Sequence, residues 1–188
     1  MRFRLGLTVA AFAVVAFNAQ AASASCGYSG TQVFQPWGDT SLYTPVPGSS
    51  FESGSPGWVF DENSRLITND SSPLLGIAGS RSLEVGGSRH GELHSPQICV
   101  DATTPSMRFF LRRVSGSGSL TVNSVLSGSQ IETTVATFAG ASAWAPSASV
   151  VFPNWGLTGN LTAMFKFETD AGTVYRIDDV YIDPYRCC

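Results

Sequence analysis

Charge is scarce in this chain, and lysine almost absent. Asp, Glu, Lys and Arg together make up 13% of its 188 residues, Lys166 is the single lysine, and there are two histidines. Acidic residues outnumber basic ones, fourteen to eleven, so nucleic acid is not an expected partner. No Gly-x-Ser-x-Gly elbow sits at a strand-to-helix turn, which argues against a serine hydrolase, and Gly116-Ser117-Gly118 reads as a turn instead. No glycine-rich loop with lysine follows a strand, so a nucleotide cradle has no basis. Helical periodicity longer than a turn or two is missing beyond the leader. So are an internal repeat and an interdomain linker.

The N-terminus has the layout of a signal peptide. Met1-Arg2-Phe3-Arg4 leads into an uncharged apolar run from Leu5 to Phe17, followed by the small residues Ala19-Gln20-Ala21 and Ala22-Ser23-Ala24. That run is too short to span a bilayer, and the small residues offer cleavage sites. Residues 1–24 are therefore expected to be removed, leaving a secreted, extracellular protein with no transmembrane segment. A lipid attached at Cys26 is disfavoured, because Ser23-Ala24-Ser25 lacks the branched apolar residue that begins a lipobox. The leader holds two of the eleven basic residues and none of the fourteen acidic ones, so the mature chain carries a net charge of −5. It is long enough for one domain with a real core.

Export permits disulfides among Cys26, Cys99, Cys187 and Cys188. Three pairings are possible. A bond between the adjacent Cys187 and Cys188 is strained, so Cys26 is expected to pair with Cys99, and the partners of the terminal two stay open. The spacing of the four fits no usual structural zinc site.

From Ser50 onward, short stretches rich in Val, Ile, Phe, Leu and Thr are punctuated every eight to twelve residues by Gly, Pro, Ser and Asn. This is the pattern of an all-β sandwich, here with about eight to ten strands. Alternation is clearest where Leu161, Ala163, Phe165 and Phe167 interleave with Thr162, Met164, Lys166 and Glu168. One continuous strand is expected over 143–151. Turns are expected at 115–118, 127–129 and 170–172, with the stretch from 115 to 133 reading as two successive hairpins. Residues 25–49, with few alternating positions, read as an extended arm laid across a sandwich formed by 50–188.

Phe51-Glu52-Ser53-Gly54, Gly57-Trp58 and the segment Tyr175-Arg176-Ile177-Asp178-Asp179-Val180-Tyr181-Ile182 resemble the first and last strands of galactose-binding-like jelly rolls, found in many carbohydrate-binding modules. Pro36-Trp37-Gly38-Asp39, Pro96-Gln97-Ile98-Cys99-Val100, Arg108-Phe109-Phe110 and Asp183-Pro184-Tyr185-Arg186 give the whole chain a likeness to a group of small, uncharacterised secreted bacterial proteins. The first resemblance implies a jelly roll over roughly 51–183. It also implies a structural calcium ion held by Glu52 and Asp178 together with backbone carbonyls, a donor set suited to a hard cation.

Other constellations are weaker. Asp178 and Asp179, as neighbours on a strand, are expected to face opposite ways and so not to form a glycosidase pair. His90, Glu92 and His94 at i, i+2, i+4 would share one strand face, a spacing that suits zinc with an open position, although no fourth partner is evident. Ligand stacking falls to the loop aromatics Trp155, Trp37 and Tyr43, whereas Trp58 and Trp144 read as core. The expected function is non-catalytic binding outside the cell, with a glycan as partner. The alternatives are a structural or adhesive envelope protein without a small ligand and, behind it, a metal-dependent enzyme.

Overall fold

The structure, a computed structural model, describes residues 26–72, 79–101, 104, 106–129, 131–153 and 161–183. The expected leader, Trp155 and the terminal Cys187 and Cys188 lie outside the described residues. No helix among those described is long and apolar enough to cross a membrane.

Two antiparallel sheets face each other. The first runs β10 (Ala145–Pro146), β7 (Ser106–Ser115), β13 (Val174–Asp183), β4 (Arg81–Gly86), β3 (Ser64–Thr68), with β1 (Thr44–Pro45) paired to β13 and β11 (Val150–Val151) to β7. The second runs β2 (Val59–Phe60), β5 (Gly91–His94), β12 (Leu161–Thr169), β8 (Leu120–Leu126), β9 (Glu132–Phe138), with β6 (Ile98–Val100) following β5 along the same edge of β12. This is a jelly-roll sandwich: the strand pattern implied the sandwich and the family resemblance the jelly roll.

Its core comes from the inward half of each alternation. Phe109 and Leu111 of β7 and Tyr175 and Ile177 of β13 meet Leu93, Phe165 and Phe167 of the opposite sheet, all buried. Phe109 meets Phe167 edge-on with centroids 5.3 Å apart, the favoured arrangement for two rings. Each such side chain contributes about 1.5–3 kcal/mol by leaving water, so the periodicity is a direct record of what holds the sheets together. Cys26 and Cys99 are joined by a disulfide, which ties the start of the described chain to β6.

Three features depart from the sequence reading. The turn at 115–118 does not close a hairpin: β7 belongs to one sheet and β8 to the other, so the chain crosses the sandwich there, as it does at the turn expected over 170–172, between β12 and β13. The two crossings pack together, and a Cβ on Gly116 would lie 2.3 Å from the carbonyl oxygen of Gly172. Only 127–129 joins a true hairpin, β8 to β9. The strand expected over 143–151 is broken in two. Pro146 cannot donate to a ladder, and Ser147 instead bonds Phe109 through its amide (2.7 Å) and its hydroxyl (3.2 Å). Finally, Glu52 lies in a turn and not on a strand.

From its tie to β6 the chain runs to the outer side of the first sheet, where residues 33–43 lie before β1 joins that sheet. Val33, Phe34 and Tyr43 bury themselves against Phe110, whose ring points outward from β7. Phe34 stacks on Phe110 at 5.7 Å and meets Tyr43 edge-on at 4.8 Å. Arg108 lies 4.6 Å over the Phe34 ring and donates to Asp39 at 2.6 Å. The arm thus seals this outer face around Phe110, while the next row across β3, β4, β13 and β7 holds Arg65, Glu84, Arg176 and Arg112 in ion pairs among themselves and with Asp70.

Candidate functional site

The opposite outer face carries polar side chains in register. Across β5, β12, β8 and β9, His94 stands beside Lys166, Lys166 beside Asn123, and Asn123 beside Thr134; one row along, Glu92 stands beside Glu168 and Glu168 beside Thr121. They face outward because their neighbours Leu93, Phe165, Phe167 and Val122 fill the core. Each is oriented by another. Asn123 donates to Glu168 and accepts from Thr134 at 2.8 Å, and His94 Nε2 lies 2.7 Å from Glu92. Lys166 reaches Glu132 at 2.7 Å, Glu168 at 3.1 Å and Glu92 at 3.6 Å. Burial works against its charge, but these carboxylates outweigh it and hold the ammonium up at about 12. The result is a strip of mutually oriented donors and acceptors.

A second site lies at the bulge midway along β13. Glu52, Asp178 and Asp179 line one open cavity of about 280 Å³, together with Ser72 and Tyr181. The rule that strand neighbours face apart fails here for a local reason. Asp179 adopts a left-handed backbone, φ +49°, at a register shift between Asp178 and Tyr181, and the bulge turns both carboxylates to the same side. Phe51 is likewise left-handed, φ +56°; its ring is buried in the core against Trp58 and the next residue, Glu52, lines the cavity. Two strained non-glycine residues thus flank one cavity, a placement typical of ligand clamps.

The electrostatics of that cavity are unbalanced. Asp178 is only 2% exposed. Burial, then the charge of Asp179 and of Glu52, push its carboxyl up to about 8, although amides of Ser72 and Asp179 donate to it at 2.8 and 2.9 Å. Asp179 is raised as well, by burial and by Glu52. Glu52 accepts from the amides of Ser80 and Arg81, both at 2.8 Å. Among the described residues no basic side chain lines the cavity, so three carboxylates share it with no countercharge, although their oxygens do not all lie within 4.8 Å of one another. The donor set is all oxygen, the chemistry a hard divalent cation takes.

Of the three expected stacking aromatics, Tyr43 is a correction. It is 2% exposed, its ring pinned by Phe34 and its hydroxyl donating to Asp39 at 2.7 Å, so it has no face to offer a ligand. Trp37 keeps 39% exposure at the edge of the arm, on the sealed side of the sandwich. Trp155 falls outside the described residues. Sequence reading misses Asp179, which only the bulge brings in, and Glu168 and Asn123, which become neighbours of Glu92 and His94 only through strand pairing. The alternation of β12 is the available signal for Glu168.

No protein-family model matches the chain, and no curated protein matches it. Solved structures do. Among them are the CBM22-1 xylan-binding domain of Paenibacillus barcinonensis Xyn10C, 15% identical with a TM-score of 0.55 over 74% of this chain and 94% of that one, and a family 16 carbohydrate binding module, 9% identical with a TM-score of 0.52 over 74% and 99%. The CBM22-1–GH10 modules of Clostridium thermocellum xylanase 10B, solved with xylohexaose, match with 16% identity and a TM-score of 0.55 over 74% of this chain and 28% of that one. At such identities the likeness is one of fold: the chain has the β-sandwich of carbohydrate-binding modules.

Proposed function

We propose that this protein is a secreted, non-catalytic glycan-binding module that takes its ligand on the outer face of the β2-β5-β12-β8-β9 sheet. The observation that carries the reading is the asymmetry of the sandwich. One outer face is covered by the arm around Phe110 and filled beyond it by the paired charges of Arg65, Glu84, Arg176, Arg112 and Asp70, while the other carries the partly exposed Glu92, His94 and Glu168 with the more buried Asn123 and Lys166 as a row of hydrogen-bonding groups. A polysaccharide chain is long, flat and rich in hydroxyls, and such a row suits it. The shared fold with xylan-binding and other carbohydrate-binding modules supports the same reading and makes β-1,4-xylan the first ligand to try. The Cys26–Cys99 disulfide accords with an oxidising compartment.

Calcium belongs to this proposal as a structural ion. Glu52, Asp178 and Asp179 would hold it, supplying the charge that burial otherwise makes costly, and it would fix the turn after Phe51 against β13. The ion takes no part in chemistry on the ligand.

The test is a glycan array probed with the labelled mature protein in calcium-containing buffer. Binding to one or more plant or bacterial polysaccharides is expected. A blank array, with the protein shown to be folded, would remove the reading.

A further inference from the structure

On the open sheet face His90 joins two carboxylates of the polar row. The imidazole of His90 and one carboxylate oxygen each from Glu92 and Glu168 lie within 4.8 Å of one another. The sequence points to His90, Glu92 and His94, but strand pairing puts Glu168 directly opposite Glu92 on β12, and His94 falls into a different role. Two like charges facing each other across a ladder are unfavourable unless a cation lies between them.

The carboxylate oxygens divide their work. Glu92 uses Oε1 for His94 and Glu168 uses Oε2 for Asn123. This leaves Glu92 Oε2 and Glu168 Oε1 aimed at the space between the strands, with His90 Nε2 3.3 Å from Glu168 Oε1. Lys166 Nζ now bridges these same two oxygens, at 3.6 and 3.1 Å. Its shortest contact is to a third carboxylate, Glu132, at 2.7 Å. Three carboxylates therefore share one ammonium, and with both imidazoles neutral the cluster carries a surplus of two negative charges, the charge of one divalent ion.

We infer that His90, Glu92 and Glu168 form a zinc site on the open sheet face, with Lys166 retiring to Glu132 when the ion enters. Imidazole with carboxylate is a donor set for zinc, not for calcium or magnesium. Tetrahedral donors around zinc lie about 3.4 Å apart, so the His90–Glu168 separation is already right, and Glu92, whose oxygen lies within 4.8 Å of both partners, has at most about 1.4 Å to close. His94 and Asn123 serve as positioning residues that hold the two carboxylates, as outer-shell partners of zinc ligands do. With three protein ligands, a fourth position stays open on the face we assign to the glycan, where a water or a ligand hydroxyl can sit. The site stands independently of the glycan reading, because zinc can be titrated with no sugar present.

The experiment is isothermal titration of ZnCl2 into the mature chain, freed of metal and returned to calcium in a non-chelating buffer. One zinc per chain with micromolar affinity is expected. His90→Ala should weaken it at least tenfold, and Lys166→Gln, which removes the competing cation, should tighten it about tenfold, with circular dichroism confirming that both variants fold. No heat up to millimolar zinc would overturn the site. So would an affinity unchanged by His90→Ala, since zinc held by Cys187 and Cys188 would survive that change. Equal or weaker binding in Lys166→Gln would overturn the exchange of cations.

Discussion

Asp178 and Asp179, adjacent in the chain, line the same cavity because the left-handed backbone of Asp179 cancels the alternation of the strand. Burial and the neighbouring charges, Glu52 among them, raise both carboxyls above the usual carboxylate range.

Asp178 titrates in the folded state at about 8, well above its unfolded value. A group raised in this way contributes stability that is whole below about pH 4 and is lost as pH climbs to about 8. Asp39 works in the opposite sense. Burial disfavours its charge, but hydrogen bonds from Tyr43, Ser41 and Arg108 outweigh this and hold it at about 2, so its contribution is lost as pH falls from about 4 toward 2. The chelated protein is therefore expected to be most stable near pH 4–5 and to lose up to about 5 kcal/mol by pH 8. Saturating calcium should flatten that decline and raise the midpoint at pH 8, because an ion bound only by the native state stabilises it. Thermal melts at pH 5 and 8, with chelator and with calcium, check this. Equal midpoints in all four conditions would make the three carboxylates ordinary ones.

The Cys26–Cys99 bond closes a loop with a sequence separation of 73. Chain entropy puts the stabilisation from a loop of that size at about 4 kcal/mol. Replacing both cysteines with serine should lower the stability measured by urea unfolding by about 2–4 kcal/mol and leave the core intact by near-ultraviolet dichroism.

Phe34 anchors the arm. Its replacement by alanine uncovers Phe110 and removes the ring beneath Arg108, at an expected cost of about 3–5 kcal/mol. The arm should then become open to protease while the sandwich resists, which limited proteolysis followed by mass spectrometry reads directly. An arm as resistant in Phe34→Ala as in the parent would show that other contacts hold it.

How much is legible in the sequence depends on the range of the interaction. Alternation is local, so spacing alone places Ala163, Phe165 and Phe167 in the core and Lys166 and Glu168 outside it. Leu161, at the strand's start, breaks the pattern and is exposed. Turn chemistry is local too, but it says only where the chain reverses. Glycines at 116 and 118 mark a reversal, and whether Leu120 then pairs with β7 or crosses to the other sheet is settled by the whole topology. The same limit hides the partnership of Glu92 with Glu168, which are 76 positions apart in sequence.

The candidate sites divide along the same line. Resemblance singles out Glu52 and Asp178, and they do line one cavity. Asp179 is set aside by a rule that holds for regular strands, and no residue pattern announces the bulge that suspends it. Tyr43 reads as a loop ring open to ligand, because a segment with few alternating residues gives no sign of which side chains pack; its burial follows from Phe110, an aromatic that β7 points outward and the arm must cover.

The central claim is that the open polar face binds a glycan, and the most direct measurement is affinity gel electrophoresis through a panel of soluble polysaccharides beginning with xylan. Wild-type protein should be run beside Asn123→Ala, which releases Glu168 and Thr134 from their shared partner. The account predicts retardation by at least one polysaccharide and about a tenfold loss of affinity in the variant, the effect of removing one or two well-placed hydrogen bonds. Free migration through every gel, or retardation that Asn123→Ala leaves unchanged, would contradict it.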